Sequence, residues 1–325
     1  MFEVREATEA DHSEIEALIG EMIPGVDVGA RWKWLYETNP GGRALTWFAI
    51  ADGKVAGCTS MFPFRLWLDG KEVRGALGGD GYVRPAFRRH GIGAKLHDAS
   101  RLAMPKHRLG CMYGAPGEMN LTPLKHGGSR EVGHVTRWVR PIRSEALRLP
   151  GVLSPLLRPR TQVRLEPAVE LDERIDRLWT ECRDAFRLAC VRDAAFYTWR
   201  FHEAPAQRQP TYIVVDRGTP IGACALEALE HGRIHRIIDL LAAPAHWPAC
   251  LAAITRFCAD TTPAALVDIK LFERDGRSRP LLRSGFTERE HKPFLCMIPA
   301  HGDRRFLDAD RWFYTQADSD LDDHR

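Results

Sequence analysis

The 325-residue chain predicts an α+β fold of two similar domains, each a mixed, mostly antiparallel sheet flanked by helices. Three observations predict it. Two Asp-Gly pairs, Asp52-Gly53 and Asp69-Gly70, each separate apolar runs, the pattern of tight hairpins. Apolar residues at helical spacing stand before and after this meander. A set of residues spanning 31–57 then returns 165 positions later.

In chain order, Val4 lies in a short extended run. Thr8-Glu9-Ala10-Asp11 forms a capping box, and Ile15, Leu18, Ile19 and Met22 mark one face of the following helix. A second helix is predicted over Arg31–Glu37, stopping near Pro40-Gly41-Gly42. The runs Trp47–Ala51, Val55–Cys58 and Phe64–Leu68 read as strands of the meander. A further strand is predicted from about Ala76 to Val83, a helix from near Gly91, and a strand over Gly110–Gly114.

The repeat is specific in its spacing. Arg31–Pro40 falls on Phe196–Pro205, Trp47–Gly53 on Tyr212–Gly218, and Gly57 on Gly222, with no gap. After a small gap Asp80 pairs with Asp239 and Pro85 with Pro244; Pro123-Leu124 and Gly128 later pair with Pro280-Leu281 and Gly285. The expected organisation is a domain over 1–140, a proline-rich irregular linker over 141–167 with a short helix near Ser144–Leu149, a second domain over 168–300, and a C-terminal segment over 301–325 with an acidic end. Trp312-Phe313-Tyr314 is too apolar for a free tail and is expected to dock.

Composition excludes several classes. A chain of this length fits two domains. With 46 Lys+Arg against 43 Asp+Glu, the net charge of +3 gives no bulk attraction to nucleic acid or membrane, so any anion site must be local. The apolar stretch 237–259 contains Asp239, Pro244, His246, Pro248 and Arg256, which rules out a membrane span. The N-terminus lacks a signal-peptide core. Eight scattered cysteines without metal-ligand spacing imply no metal site and fit small buried side chains in a reducing cytoplasm.

One stretch carries chemistry. After a strand ending at Val83, Pro85 breaks the ladder, and Arg88-Arg89-His90-Gly91-Ile92-Gly93-Ala94 leads into a helix with Ile92, Leu96 and Ala99 on its apolar face. The first turn of a helix offers free N–H groups and a positive dipole end, and glycines let that backbone approach an anion. The loop lacks the third glycine of a dinucleotide fingerprint and the Gly-Lys-Ser/Thr of a P-loop. Arg88-x-x-Gly91-x-Gly93, with Tyr82-Val83-Arg84-Pro85 before it and the opening Arg5–Asp11, resembles the GNAT family of N-acyltransferases over about residues 1–140.

That resemblance implies an acyl-CoA donor, acetyl-CoA in the simplest case, and a small-molecule amine acceptor that attacks the thioester directly. It implies that backbone groups of Tyr82 and Val83 pair with the pantetheine arm, that the strand-end amide polarises the thioester carbonyl, and that Arg88, Arg89, His90, Gly91, Ile92, Gly93 and Ala94 hold the pyrophosphate. Asn120 stands where the family often contacts pantetheine. The attacking ammonium must lose a proton, so a general base is needed; Asp80 and Glu118 are the candidates. The family's tyrosine acid is missing from Leu124-Lys125-His126-Gly127-Gly128, which leaves His126, Tyr113 or water. In the second half the loop becomes Trp247-Pro248-Ala249-Cys250, which fills space and cannot cradle phosphate, so one active site per chain is expected. Two other classes stay open: a Fem-type aminoacyl transferase, and a CoA- or partner-binding module without turnover. The aromatics Trp32, Trp34, Trp47, Phe62, Phe64 and Trp67 are candidates for an acceptor pocket, and Asp318 or Asp320 for attracting an amine.

Overall fold

The computed structural model describes residues 2–168, 173–205, 209–273 and 276–319. The chain opens with β1 (Phe2–Glu6) and α1 (His12–Met22), entered through the Thr8/Asp11 capping box. The helix α2 (Val28–Arg31) runs into a wide π-type turn over Trp32–Glu37. The meander follows as β2 (Leu45–Ala51), β3 (Lys54–Leu68) and β4 (Lys71–Val83). Both predicted hairpin turns form, with Asp52, Gly53, Asp69 and Gly70 all at positive φ, the twist that matches flanking strands. Next come α3 (Ile92–Ala103), β5 (Met112–Gly114), α4 (Glu118–His126) and β6 (Arg130–Pro141).

The second half runs β7 (Arg164–Pro167), α5 (Glu173–Cys182), β8 (Leu188–Cys190), α6 (Ala194–Tyr197) with its own π-type turn over Thr198–His202, β9 (Thr211–Asp216), β10 (Thr219–Leu229), β11 (Ile234–Ala242), α7 (Trp247–Thr261), β12 (Leu266–Phe272), α8 (Ser278–Arg283) and β13 (Thr287–Met297). The connector is irregular over much of its length, with 3-10 turns at Ser144–Leu147 and Gly151–Leu157. Its last residues are not: Arg164–Pro167 is edge strand β7, in register with β9, and an edge position at the strand's end tolerates Pro167.

The two halves share one hydrogen-bonded sheet, in the order β1-β2-β3-β4-β5-β13-β6-β12-β11-β10-β9-β7, with β8 beside the outer part of β3. The crossing at the centre is an exchange. The last strand of the second half, β13, pairs with β5 of the first, and β6 of the first half pairs with β12 of the second. The exchanged strands also pair with each other. Neither half closes its own sheet, so each needs the other to satisfy its backbone.

Trp34 and Trp199, the pair found 165 residues apart, stack with ring centroids 5.1 Å apart. Each indole N–H donates to the other residue's carbonyl at 2.8 Å. Gly57 and Gly222 both allow a close strand contact: a Cβ would stand 2.5 Å from the Tyr82 carbonyl oxygen in one case and 2.9 Å from that of Leu241 in the other. A large core spans both halves, and a smaller one lies under α3 around Trp47, Ile92 and Leu96. Six of the aromatics named as pocket candidates pack into or against these cores.

The C-terminal segment is wound into the core as far as residue 318. Trp312, Phe313 and Tyr314 are buried, as expected for a docked segment. Asp318 is buried too and accepts from Arg192 Nη2 at 2.7 Å. It is therefore a structural anion and not a surface attractor of amines; Asp320 lies outside the described residues. All eight cysteines are buried and unpaired, and burial pushes the Cys58, Cys182, Cys250 and Cys258 thiols up to about 12. Among the described residues, no helix is long and apolar enough to cross a membrane, and no group of three metal-ligating side chains gathers.

Candidate functional site

The site is built at the C-terminal end of β4. That strand pairs with β3 along its length but meets β5, in parallel, only at Ala76–Leu77 opposite Met112–Tyr113. Beyond Leu77 the two strands part, and Gly78–Val83 has no partner strand on that side. The register slips between Cys58 and Ser60, and opposite this slip Asp80 takes φ +46°, the geometry of a β-bulge. Past the bulge, Tyr82 and Val83 are half-buried, Tyr82 against the large core and Val83 against the smaller one.

Past Val83 the chain makes a 3-10 turn at Pro85–Phe87 and then enters α3 through Arg89 (φ +66°) and Gly91 (φ +77°). Among the described residues, none accepts a hydrogen bond from the backbone N–H groups of residues 89–94. Gly91 and Gly93 are exposed, and a Cβ at either would meet nothing within 4 Å. Arg88 Nε donates to the Val83 carbonyl at 2.9 Å and the guanidinium stands 5.9 Å from the Tyr82 ring centroid, so Arg88 is tied to the strand end. His90 Nδ1 lies 3.2 Å from the Phe87 carbonyl oxygen. Free helix-start amides, two glycines and three basic side chains thus surround open space beside the parting of β4 and β5, a fit for a pyrophosphate. The Val83 carbonyl, one of the groups assigned to the pantetheine arm, is occupied by Arg88.

Residues 12–114 match the family model of the acetyltransferase (GNAT) family. That stretch of the chain is similar to this family.

Solved structures agree in fold across both halves. A GCN5-related N-acetyltransferase from Anabaena variabilis is 17% identical with a TM-score of 0.69, over 92% of this chain and 73% of that one. One from Kribbella flavida is 16% identical with a TM-score of 0.64, over 92% and 71%. The Saccharomyces cerevisiae N-myristoyltransferase with bound myristoyl-CoA is 13% identical with a TM-score of 0.55, over 91% and 82%. No curated protein matches the chain.

The catalytic candidates do not come together. Asp80 is buried. Its Oδ1 accepts from Arg31 Nη2 and its Oδ2 from the Tyr36 hydroxyl, each at 2.7 Å. Ser60 Oγ lies 3.3 Å from that hydroxyl and 2.9 Å from Thr46 Oγ, and burial raises the phenol well above its ordinary range. A carboxylate with both oxygens engaged and a buried guanidinium beside it is not placed to take a proton from an incoming ammonium. In this arrangement Asp80 is a buried anion at the bulge, held by Arg31 and Tyr36. Its repeat counterpart agrees: Asp239 is fully buried, with Arg192 Nε at 3.1 Å and the Tyr197 hydroxyl at 2.9 Å. Sequence reading missed Arg31 and Tyr36, which stand 49 and 44 positions from Asp80 and carry no local signal.

Glu118 and Asn120 lie exposed in the first turn of α4, which follows the end of β5, on the same end of the sheet as the glycine loop. His126 lies at the other end of α4, about 12 Å along its axis at 1.5 Å per residue. It lines a different cavity, away from the glycine loop. Tyr113 is no substitute: it is buried with its hydroxyl 3.1 Å from Cys190 Sγ, and desolvation holds its pKa well above the usual phenol range. The second half's equivalent helix start is closed. Trp247 is fully buried at the head of α7, next to Pro248, and Arg277 stands over its ring at 5.3 Å from the centroid.

Proposed function

We propose that this chain is an acyl-CoA-dependent N-acyltransferase with one active site, in its first half, acting on a small-molecule amine. The observation that carries this reading is the open cradle of unbonded amides at residues 89–94, set beside the parting of β4 and β5. Arg88, Arg89, His90, Gly91, Ile92, Gly93 and Ala94 would hold the pyrophosphate of acetyl-CoA or another acyl-CoA, Tyr82 and Val83 would line the pantetheine arm, and Asn120 would contact it from α4. Acyl-CoA, when bound, would supply an activated thioester. What this chain adds is orientation, a strand-end amide to polarise the carbonyl, and a route for the amine's proton. Glu118 is the proposed base, because it is the one of the two carboxylates left free at the correct end of the sheet. Water protonates the leaving thiolate.

The reciprocal Trp34/Trp199 bonds, the matched π-type turns and the exchanged strands support reading the two halves as a duplication, with the second retained as the partner that closes the first half's sheet. The test is calorimetric titration of acetyl-CoA into the wild type and into Arg88→Glu/Gly91→Glu, followed by an amine screen. Binding lost in the variant and acetylated product with at least one amine are expected. A folded wild type that binds no acyl-CoA overturns the reading, and binding without transfer to any amine class leaves only a CoA-binding module. For Glu118→Gln, kcat is expected to fall at neutral pH and to recover as pH rises; an unchanged pH profile removes Glu118 as the base.

A further inference from the structure

The chain has a second basic pocket, at the opposite end of the sheet from the glycine loop. The loop follows the C-terminal end of β4, and α3 runs back from it, so Arg101 stands about 13 Å along the helix from Ile92 at 1.5 Å per residue. Met297 of β13 pairs with Met112 at the start of β5, so the chain leaving β13 emerges at that far end. There a cavity of about 550 Å³ opens between the C-terminal half of α3, the turn from α4 into β6, and residues 298–304. Arg101, Arg130, Arg304, His126 and His301 line it, against the single acid Asp98.

Asp98 lies 3.4 Å from Arg101. Among the described residues, the side chains of Arg130, Arg304, His126 and His301 have neither a hydrogen-bond partner nor an ion-pair partner. Guanidiniums gathered in one concavity repel one another unless an anion lies between them. Their planar forks match the paired oxygens of phosphate and carboxylate. Arg130 opens β6 and Arg304 lies on the segment after β13, so two separate elements each present a guanidinium. The volume is that of a small-molecule site.

We propose that this cavity binds a compact organic anion carrying two or more phosphate or carboxylate groups, independently of the acyl-CoA loop. Pyrophosphate serves as the probe, titrated into the full chain with 15N-labelled histidines at constant ionic strength. The His126 and His301 ring resonances, assigned with His126→Gln and His301→Gln, are expected to shift along one saturable curve. His90 reports the glycine loop separately, so failure of the acyl-CoA reading and failure of this one are distinguishable. In Arg130→Gln/Arg304→Gln the midpoint for the cavity is expected to rise at least tenfold while the His90 curve stays in place. Should that variant not fold, the wild-type titration still decides. Three results overturn the proposal: no saturable shift at His126 and His301, an unchanged midpoint in the double variant, or the same shifts from sodium chloride of matched ionic strength.

Discussion

Gly93→Glu separates the cofactor cradle from the fold. Gly93 is the second residue of α3, exposed, and a Cβ there meets nothing within 4 Å. Replacing glycine inside a helix removes a propensity penalty of up to about 1 kcal/mol. An acid in the first turn also gains roughly 0.3–1 kcal/mol from the helix dipole. The melting temperature is therefore expected to hold or rise. Binding moves the other way. A carboxylate about 5 Å from a pyrophosphate, at a water-like dielectric, costs about 0.8 kcal/mol per unit charge, or about 1.7 kcal/mol for two charges. That is roughly twentyfold in Kd for acetyl-CoA, since 1.36 kcal/mol is a factor of ten. Gly93→Gln, of similar size without the charge, should lose far less, and the gap between the two should shrink as salt is raised. Calorimetric titration and a thermal melt on the same samples read both effects. A Gly93→Glu protein with wild-type stability and a Kd within twofold of wild type would refute the placement of the cofactor phosphates at this loop.

Three further outcomes follow from the geometry. Gly57→Ala puts a methyl 2.5 Å from the Tyr82 carbonyl oxygen and 3.0 Å from Val83 Cα, so the strands must move apart at the bulge. Denaturant unfolding should show a loss of about 1–3 kcal/mol, the usual cost of overpacking, together with weaker acetyl-CoA binding. Asp80→Asn removes the buried carboxylate charge that accepts from Arg31 Nη2 and the Tyr36 hydroxyl, and unfolding should show a loss of about 3–5 kcal/mol. His97 is buried against Ser129 Oγ at 3.0 Å, and desolvation lowers its pKa to about 4. The native state thus favours the neutral ring, and protonation favours the unfolded chain. Stability should fall as pH drops from about 6.5 toward 4, by about 2 kcal/mol between pH 7 and pH 5. His97→Gln should flatten that part of the pH curve, and an unchanged slope would contradict the assignment.

Much of the geometry of the glycine loop was legible because its signals are local. Pro85 ends a strand, Gly91 takes a positive φ, and Ile92 and Leu96 turn one face of α3 inward, all within a dozen residues. The Asp-Gly hairpins were legible for the same reason. The roles of Asp80 and His126 were not. Asp80 becomes a structural anion only because Arg31 and Tyr36 arrive from a helix some 45 positions away. His126 faces the far cavity only because α4 runs back from the cofactor end of the sheet.

Taken alone, the sequence determined the α+β class, the order of elements as far as β5, the 165-residue correspondence and the basic glycine loop at the start of α3. These follow from turn chemistry, side-chain periodicity and fixed spacing, which short stretches of chain encode. Only the tertiary structure decided that the halves exchange β6 and β13 within one sheet, that the C-terminal segment to Asp318 is buried on Arg192, and that a group of arginines and histidines lines a second cavity. Strand pairing is a choice among distant edges with similar backbone donors and acceptors. That choice is settled by which arrangement leaves no edge open and no buried charge alone, a property of the whole chain.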